Sequence, residues 1–350
     1  MLKIFTAFIL MLSLARAAEI DSYTYMGAKK SADRIINHNM HVWLKHATIK
    51  LNSERIQCPR NVEEAEPIYK IIKGELPVSF IGHSIAVYYD SILPDSMIQR
   101  TPFDFSIYAT LSWLEGFSLN LKGLLGVMKI GRRNIGVDKL GHFLVEGWGF
   151  YKRAYLREDA SVRKAVEWGK FTERTYFGKT TTGVYSHADL VANYNGMRFW
   201  NQLFLFSKDP VANTSPSYIS KPMLKCHEGQ WELNSKFNFR RFVDNSWDES
   251  LNCNEYDTEE IRNKVIGAAA HRIGYKKLKE SGGRVCPMVK RSCRFEKAKY
   301  GIYAKDLLHE SCFDDSLSYK VEPKRYDFKP IRSLFLNSSL ELLRRQMLEF

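Results

Sequence analysis

Several common signatures are missing from this 350-residue chain, and each absence removes a class of function. Its six cysteines include no C-x-x-C pair, which excludes zinc-ribbon and thioredoxin-like readings. No G-x-S-x-G elbow, P-loop or H-E-x-x-H helix occurs, so the commonest hydrolase, nucleotide and zincin patterns fail. Zinc-finger spacing, an aromatic RNP-like strand and a polybasic arm are also lacking, so no nucleic-acid module is recognised. Internal repeats and low-complexity tracts are absent. The longest apolar stretch of the interior, 104–128, is interrupted by Glu115, Lys122 and glycines, which argues against a membrane span.

What is present begins with an address. Residues 1–17 read as a secretory signal, with Lys3 as the basic region, 4–14 as the apolar core and Ala15-Arg16-Ala17 as the cleavage site. The apolar run is short for a membrane anchor, and no cysteine follows it to carry lipid. The expectation is an exported protein, periplasmic, in the outer envelope or extracellular. Cys58, Cys226, Cys253, Cys286, Cys293 and Cys312 fit that address as disulfides, with five of the six after residue 225. The whole chain carries +13, and removing Lys3 and Arg16 leaves 50 basic against 39 acidic residues, or +11. That balance favours an anionic lipid headgroup or an acidic cell-wall polymer as partner, unless the charge only keeps the protein soluble.

Periodicity predicts a mainly α protein: a multi-helix bundle core over 18–206, then a smaller disulfide-containing region over 207–350 with a short β-hairpin. Helices are expected at 31–51, 83–92, 104–128, 138–157, 160–176 and 186–206. Beyond the Pro210–Pro222 boundary, a hairpin is expected within 229–243, and helices at 258–280, 297–311 and 331–350.

The chemistry concentrates in 138–200. Asp138 and His142 lie four apart on one helical face, with Glu146 a turn further on. Asp189 and Asn193 repeat the spacing on a later helix, and Glu173 ends the helix between them. Three neighbouring helices can thus aim Asp138, His142, Glu173 and Asp189 at one point as metal ligands. Without metal, His142, Glu173 and Asp189 form a candidate acid–base set, with His142 as general base. Lys139, Asn193 and Ser186 would help hold a ligand. Any cofactor is left open, with a divalent metal the one named candidate. Basic residues around the stretch, Arg132, Arg133, Lys152, Arg153, Lys170 and Arg174, would welcome an anionic group if they lined its mouth. A structural reading stands beside these: Asp138 and Ser186 as helix caps, His142 and Asn193 as bridges between helices.

The pattern Asp138-Lys139-x-x-His142-Phe143, then Glu173, then Asp189-Leu190-x-x-Asn193-x-x-Gly196 resembles that of VanZ-like proteins and of small YfiM-type envelope lipoproteins. The resemblance covers about 136–200. It implies a helical, envelope-associated protein, and it marks Asp138, Lys139, His142, Glu173, Asp189, Asn193 and Gly196 as a shared polar set. VanZ-like proteins span the membrane and YfiM-type proteins are short and lipidated; this chain does neither. The sequence therefore supports a protein whose core pocket binds an anionic headgroup or a divalent metal. A metal-assisted hydrolase acting on an envelope lipid or cell-wall polymer, and a purely structural protein, are the alternatives.

Weaker signals are an EF-hand-like acidic run from Asp244 to Glu255, spoiled by Glu249 where glycine is needed, and His38, His41 and His46 on one helix. Asn213 and Asn337 match glycosylation acceptors.

Overall fold

A computed structural model describes residues 19–23, 30–76, 82–113, 115, 116, 119, 123–175, 178–289 and 293–324. The signal at 1–17, the helix expected at 331–350 and the acceptor Asn337 lie outside the described residues.

The mainly α reading holds. Helices α1 (Asp33–Ser53), α2 (Val62–Glu75) and α3 (Gly82–Ile92) come first. In α1, Ile36, Met40, Trp43, Leu44, Ala47 and Leu51 recur at helical spacing and are buried. Asn61 starts α2 by accepting a hydrogen bond from the Glu64 backbone N–H.

A continuous helical stretch follows in four pieces. α4 (Lys139–Gly141) passes into a π-helical turn (His142–Glu146), then α5 (Gly147–Tyr151), then a second π-helical turn (Lys152–Leu156). Beyond it lie α6 (Val162–Arg174), α7 (Lys179–Thr182) and α8 (His187–Gln202). The C-terminal part adds α9 (Glu259–Ile273), α10 (Tyr275–Glu280), α11 (Arg294–Tyr300) and α12 (Ala304–Leu307). Gly274, at φ +84°, divides the helix expected over 258–280 into α9 and α10.

Every residue of α8 is buried, polar ones included. It packs on the first π-helical turn and α5 with no room for a side chain at two glycines. A Cβ on Gly196 would lie 1.9 Å from the Phe143 carbonyl oxygen, and one on Gly147 would lie 2.6 Å from the Gly196 Cα. Most of the polar residues of α8 are matched. Arg198 donates to both oxygens of Asp209 at 2.8 Å and to the Ser217 carbonyl at 2.7 Å. Asn195 donates to the Val191 carbonyl and the Tyr300 hydroxyl, and Asn201 to the Ser207 carbonyl. The Trp200 indole donates to the Leu144 carbonyl of the first π-helical turn.

Small sheets pin the loops. β1 (Glu19–Ile20) runs parallel to β3 (Leu124–Leu125), and β2 (Ile98–Gln99), β4 (Val127–Ile130) and β5 (Arg133–Gly136) form an antiparallel sheet. β6 (Val184–Tyr185) pairs with β9 (Glu255–Tyr256), β7 (Leu224–His227) with β8 (Gln230–Leu233), and β10 (Arg284–Cys286) with β11 (Tyr319–Lys320).

Two expectations are corrected here. The described residues of 104–128 contain no long helix: a 3-10 turn at Phe103–Phe105 leads through turns into β3 and β4. Gly123 adopts φ +71°, and a Cβ on Gly126 would lie 2.6 Å from Ile98, so the described residues from Gly123 to Met128 fit a sheet edge. The hairpin exists but sits earlier than 229–243. Its turn is Glu228-Gly229, both at positive φ, as a tight two-residue hairpin turn requires.

All six cysteines are bridged: Cys58–Cys226, Cys253–Cys286 and Cys293–Cys312. Three disulfides fit an oxidising, exported setting. The first joins the loop after α1 to the hairpin, where Asn52 also donates to and accepts from the Trp231 backbone. The main hydrophobic core runs across residue 206, combining Phe143, Phe199 and Trp200 with Phe237, Phe239, Phe242 and Trp247. No described helix is long and apolar enough to cross a membrane.

Candidate functional site

Two backbone devices deliver the first site residues. The β4–β5 hairpin ends at Gly136, where a Cβ would lie 2.1 Å from Asp138 Oδ1 and 2.8 Å from Ile20, so a side chain there would displace both. The next residues enter α4, presenting Asp138, Lys139 and His142 inward. Asp138 does not cap its helix; its backbone is already helical and its side chain makes no capping bond. Ser186 does cap α8, accepting from the Asp189 N–H at 3.2 Å, which sets Asp189 in the first turn.

The structure brings Asp138, Lys139, His142, Ser186, Asp189 and Asn193 together. At the centre is the Lys139 ammonium, fully buried, 2.5 Å from Asp189 Oδ1, 2.7 Å from Asp138 Oδ2 and 2.5 Å from Glu249 Oε1. His142 Nε2 lies 3.1 Å from Asp189 Oδ2, and the Asn193 side-chain amide meets His142 Nδ1 at 3.1 Å. That amide also faces the backbone carbonyls of Asp189 and His142 at 3.3 and 3.2 Å, so its nitrogen belongs on this side whenever Nδ1 is unprotonated. The ring is 17% exposed, more than the side chains of Asp138, Lys139, Asp189 or Glu249. Its edge is where solvent comes nearest these groups.

Two members were not anticipated. Glu249 lies on the loop that resembles a calcium-binding run. That loop is spent otherwise: Asp244 accepts from Lys299 and Tyr300, and Asp248 from Ser250. Glu249 instead turns inward, its second oxygen accepting from Asn254 at 2.9 Å and its first from Ser186 at 3.3 Å. Glu19, in β1, accepts from Thr182 at 3.0 Å. The mismatch of Glu249 to the calcium pattern was the one available hint; nothing marked Glu19.

Burial and mutual charge divide the acids. Glu173 and Glu19 are pushed well up, chiefly by burial and then by neighbouring carboxylates. Glu249 is raised to about 7 by burial, against the pull of Lys139. Asp138 is raised by burial, again opposed by Lys139. Asp189 goes the other way: burial raises it, but His142 and Lys139 together bring it below the ordinary carboxylate range. Burial disfavours the imidazolium, yet the charge and hydrogen bond of Asp189 outweigh it and hold His142 at about 10. Asp138 Oδ1, Glu173 Oε1 and Glu19 Oε2 are buried without a hydrogen-bond partner among the described residues; Asp189 Oδ1 also lacks one, but lies 2.5 Å from the Lys139 ammonium.

The basic residues expected around the mouth make no ion pair with the clustered acids, although Lys152 and Arg153 act on the buried Glu146 beside His142. Lys170 binds Asp306, Arg153 stacks on Trp168, Arg174 lies near Tyr185, and Arg132 and Arg133 line a separate cavity. Lys139 is the cluster's own cation.

Asp138, His142 and Asp189 each offer one ligand atom, all within 4.8 Å of one another, the one such group among the described residues. His38, His41 and His46 form no group of this kind. His187 is paired separately with Glu255 at 3.1 Å. The 3.1 Å between His142 Nε2 and Asp189 Oδ2 suits two ligands of one ion held at about 2.0–2.2 Å each. No protein-family model, curated protein or solved structure matches this chain.

Proposed function

We propose that this is an exported, envelope-associated protein whose helical-bundle core holds a divalent cation between Asp138, His142 and Asp189. The observation that carries the reading is the 4.8 Å convergence of those three ligand atoms beside the orphaned Asp138 Oδ1. Oxygen-rich ligation with one imidazole suits Mn or Zn. The ion replaces the proton shared by His142 and Asp189, and Glu173 stands by as a further carboxyl. The surplus of acids over Lys139 and His142 favours a cation here over an anionic headgroup. The sequence resemblance of 136–200 to VanZ-like and YfiM-type proteins agrees with the envelope address. A metal-assisted hydrolase would use the same ion, with water entering at the open edge of His142.

One observation favours a second, structural reading. The Lys139 ammonium already sits 2.5–2.7 Å from three carboxylates, where it acts as a permanent internal cation. Calorimetric titration of the EDTA-treated, oxidised protein with Mn²⁺ and Zn²⁺ separates the two. A metal site predicts one equivalent bound, tightening by about tenfold per pH unit between pH 6 and 8, because His142 must release its proton. Asp138→Asn and His142→Gln then each weaken binding at least tenfold, measured on variants that thermal melting shows to be folded at the temperature of the titration. Failure of either ion to bind stoichiometrically at pH 8 leaves only the structural reading.

A further inference from the structure

At the far end of α8 the chemistry reverses. Asp189 opens the helix and Gln202 closes it, 13 residues or about 20 Å away. Gln202 lines an open cavity of about 760 Å³ whose basic residues are Lys30, Arg34, Lys236, Arg240 and Arg241. Asp33 is the one acidic residue lining it, and it is engaged by Arg240 at 2.7 Å and by the Ser31 hydroxyl. The remaining four cations make no ion pair with another described residue.

A basic rim alone would be ordinary surface. The second observation is buried. Gln202 is only 4% exposed, yet its Oε1 has no hydrogen-bond partner among the described residues, and neither does the Ser235 hydroxyl on the same cavity wall. An unpaired buried polar atom forfeits the hydrogen bond it would have made to water. Elsewhere on α8, Asn195, Arg198 and Asn201 are all matched. The unmatched pair therefore points to a partner that enters the groove. Phe237 and Phe242 supply an apolar floor.

We infer that this groove binds a phosphate ester that carries a hydroxyl, of the polyol-phosphate class. Arginine and lysine on the rim take the phosphoryl oxygens. The Gln202 amide and the Ser235 hydroxyl take the polyol hydroxyls. The cavity is of the size that accepts a headgroup and excludes a folded macromolecule. This site is independent of the cation cluster.

The test uses the full mature protein, kept in EDTA so that a metal at the cluster cannot recruit phosphate. Glycerol 3-phosphate and inorganic phosphate are titrated at 50 and 500 mM NaCl, alongside sedimentation with phosphatidylglycerol and phosphatidylcholine vesicles. Glycerol 3-phosphate is expected to bind more tightly than inorganic phosphate and to weaken with salt. Arg34→Glu combined with Arg241→Glu should weaken it at least tenfold. Lys279→Glu, an exposed site away from the groove, should change it less than twofold. Gln202→Met should abolish the preference for the polyol ester over inorganic phosphate, with folding checked by thermal melting. Binding to phosphatidylglycerol vesicles in addition identifies a lipid headgroup as the source; soluble binding alone identifies a free ester. Absence of binding by both soluble probes and both vesicles overturns the inference. So does an equal loss from Lys279→Glu, which would reduce the effect to net charge.

Discussion

The two ends of α8 hold opposite solutions to the same problem. Both place polar side chains inside a protein. At the N-terminal end, three carboxylates meet one ammonium, one of them also meets the imidazole, and Glu173 and Glu19 are buried within the electrostatic reach of the same groups. At the C-terminal end, cations crowd around one acid, water has access, and a buried amide oxygen has no partner. The helix dipole suits both: its positive end faces Asp189 and its negative end faces the basic groove. The lesson is that charge density does not identify a binding site. A closed cluster has most of its interactions made already, so its ligand must displace something, such as the His142 proton. An open one has interactions still to make.

The largest expected effect tests the closed end. Lys139→Met leaves Asp138, Asp189 and Glu249 buried without their shared cation, and breaking a buried pair in this way costs about 3–5 kcal/mol. Urea denaturation should show that loss, whereas Arg241→Ala in the groove should stay within about 0.5 kcal/mol. A loss under about 1 kcal/mol from Lys139→Met would mean that the carboxylates simply take up protons, and the contrast between the two ends would vanish. The same variant sharpens the metal question: with the competing ammonium gone, a surviving fold should bind Mn²⁺ more tightly than wild type.

A smaller effect is expected from pH. His142 is held at about 10 in the fold against about 6.5 when unfolded. The folded protein therefore retains a proton that the unfolded chain gives up. The stabilisation is complete below pH 6.5 and is lost as pH rises toward 10. The wild type should fall relative to His142→Gln by up to a few kcal/mol over that window. Chemical denaturation of both proteins at pH 6 and 9.5 measures the difference. A constant gap would show that the ring is neutral throughout, with Asn193 donating to Nδ1.

How much of this was legible beforehand follows from range. The spacings Asp138/His142 and Asp189/Asn193 are local, and a helix translates them directly into a shared face. Ser186 as a cap was legible for the same reason. Glu249 and Glu19 arrive from segments 110 and 120 residues away from Lys139, through β-pairings whose partners no local pattern discloses. The described ends of Asp104–Met128 departed in the opposite way. Their apolar residues suit a helix or a buried edge equally, and long-range contacts around Gly126 and Ile98 decided. The three disulfide pairings also required the fold. The groove was illegible because Lys30, Arg34, Gln202 and Arg241 come from three separate stretches.

The smallest effect lies at the open end and turns on Asp33. Its carboxylate is raised by burial but lowered further by Ser31 and Arg240, so it is ionised at neutral pH and opposes any anion in the groove. Asp33→Asn removes that charge and can keep the Ser31 and Arg240 hydrogen bonds. Because Arg240 is half exposed, the lost ion pair should cost less than about 1 kcal/mol of stability. At several ångströms in a solvated groove, one charge is worth about 0.5–1 kcal/mol, so glycerol 3-phosphate should bind about 2- to 5-fold tighter. Titration at low salt resolves that gain, and 500 mM NaCl should erase it. Weaker binding instead would assign Asp33 a different part: holding the Arg240 guanidinium in position against the phosphate, so that the paired cation and not the four others forms the principal contact.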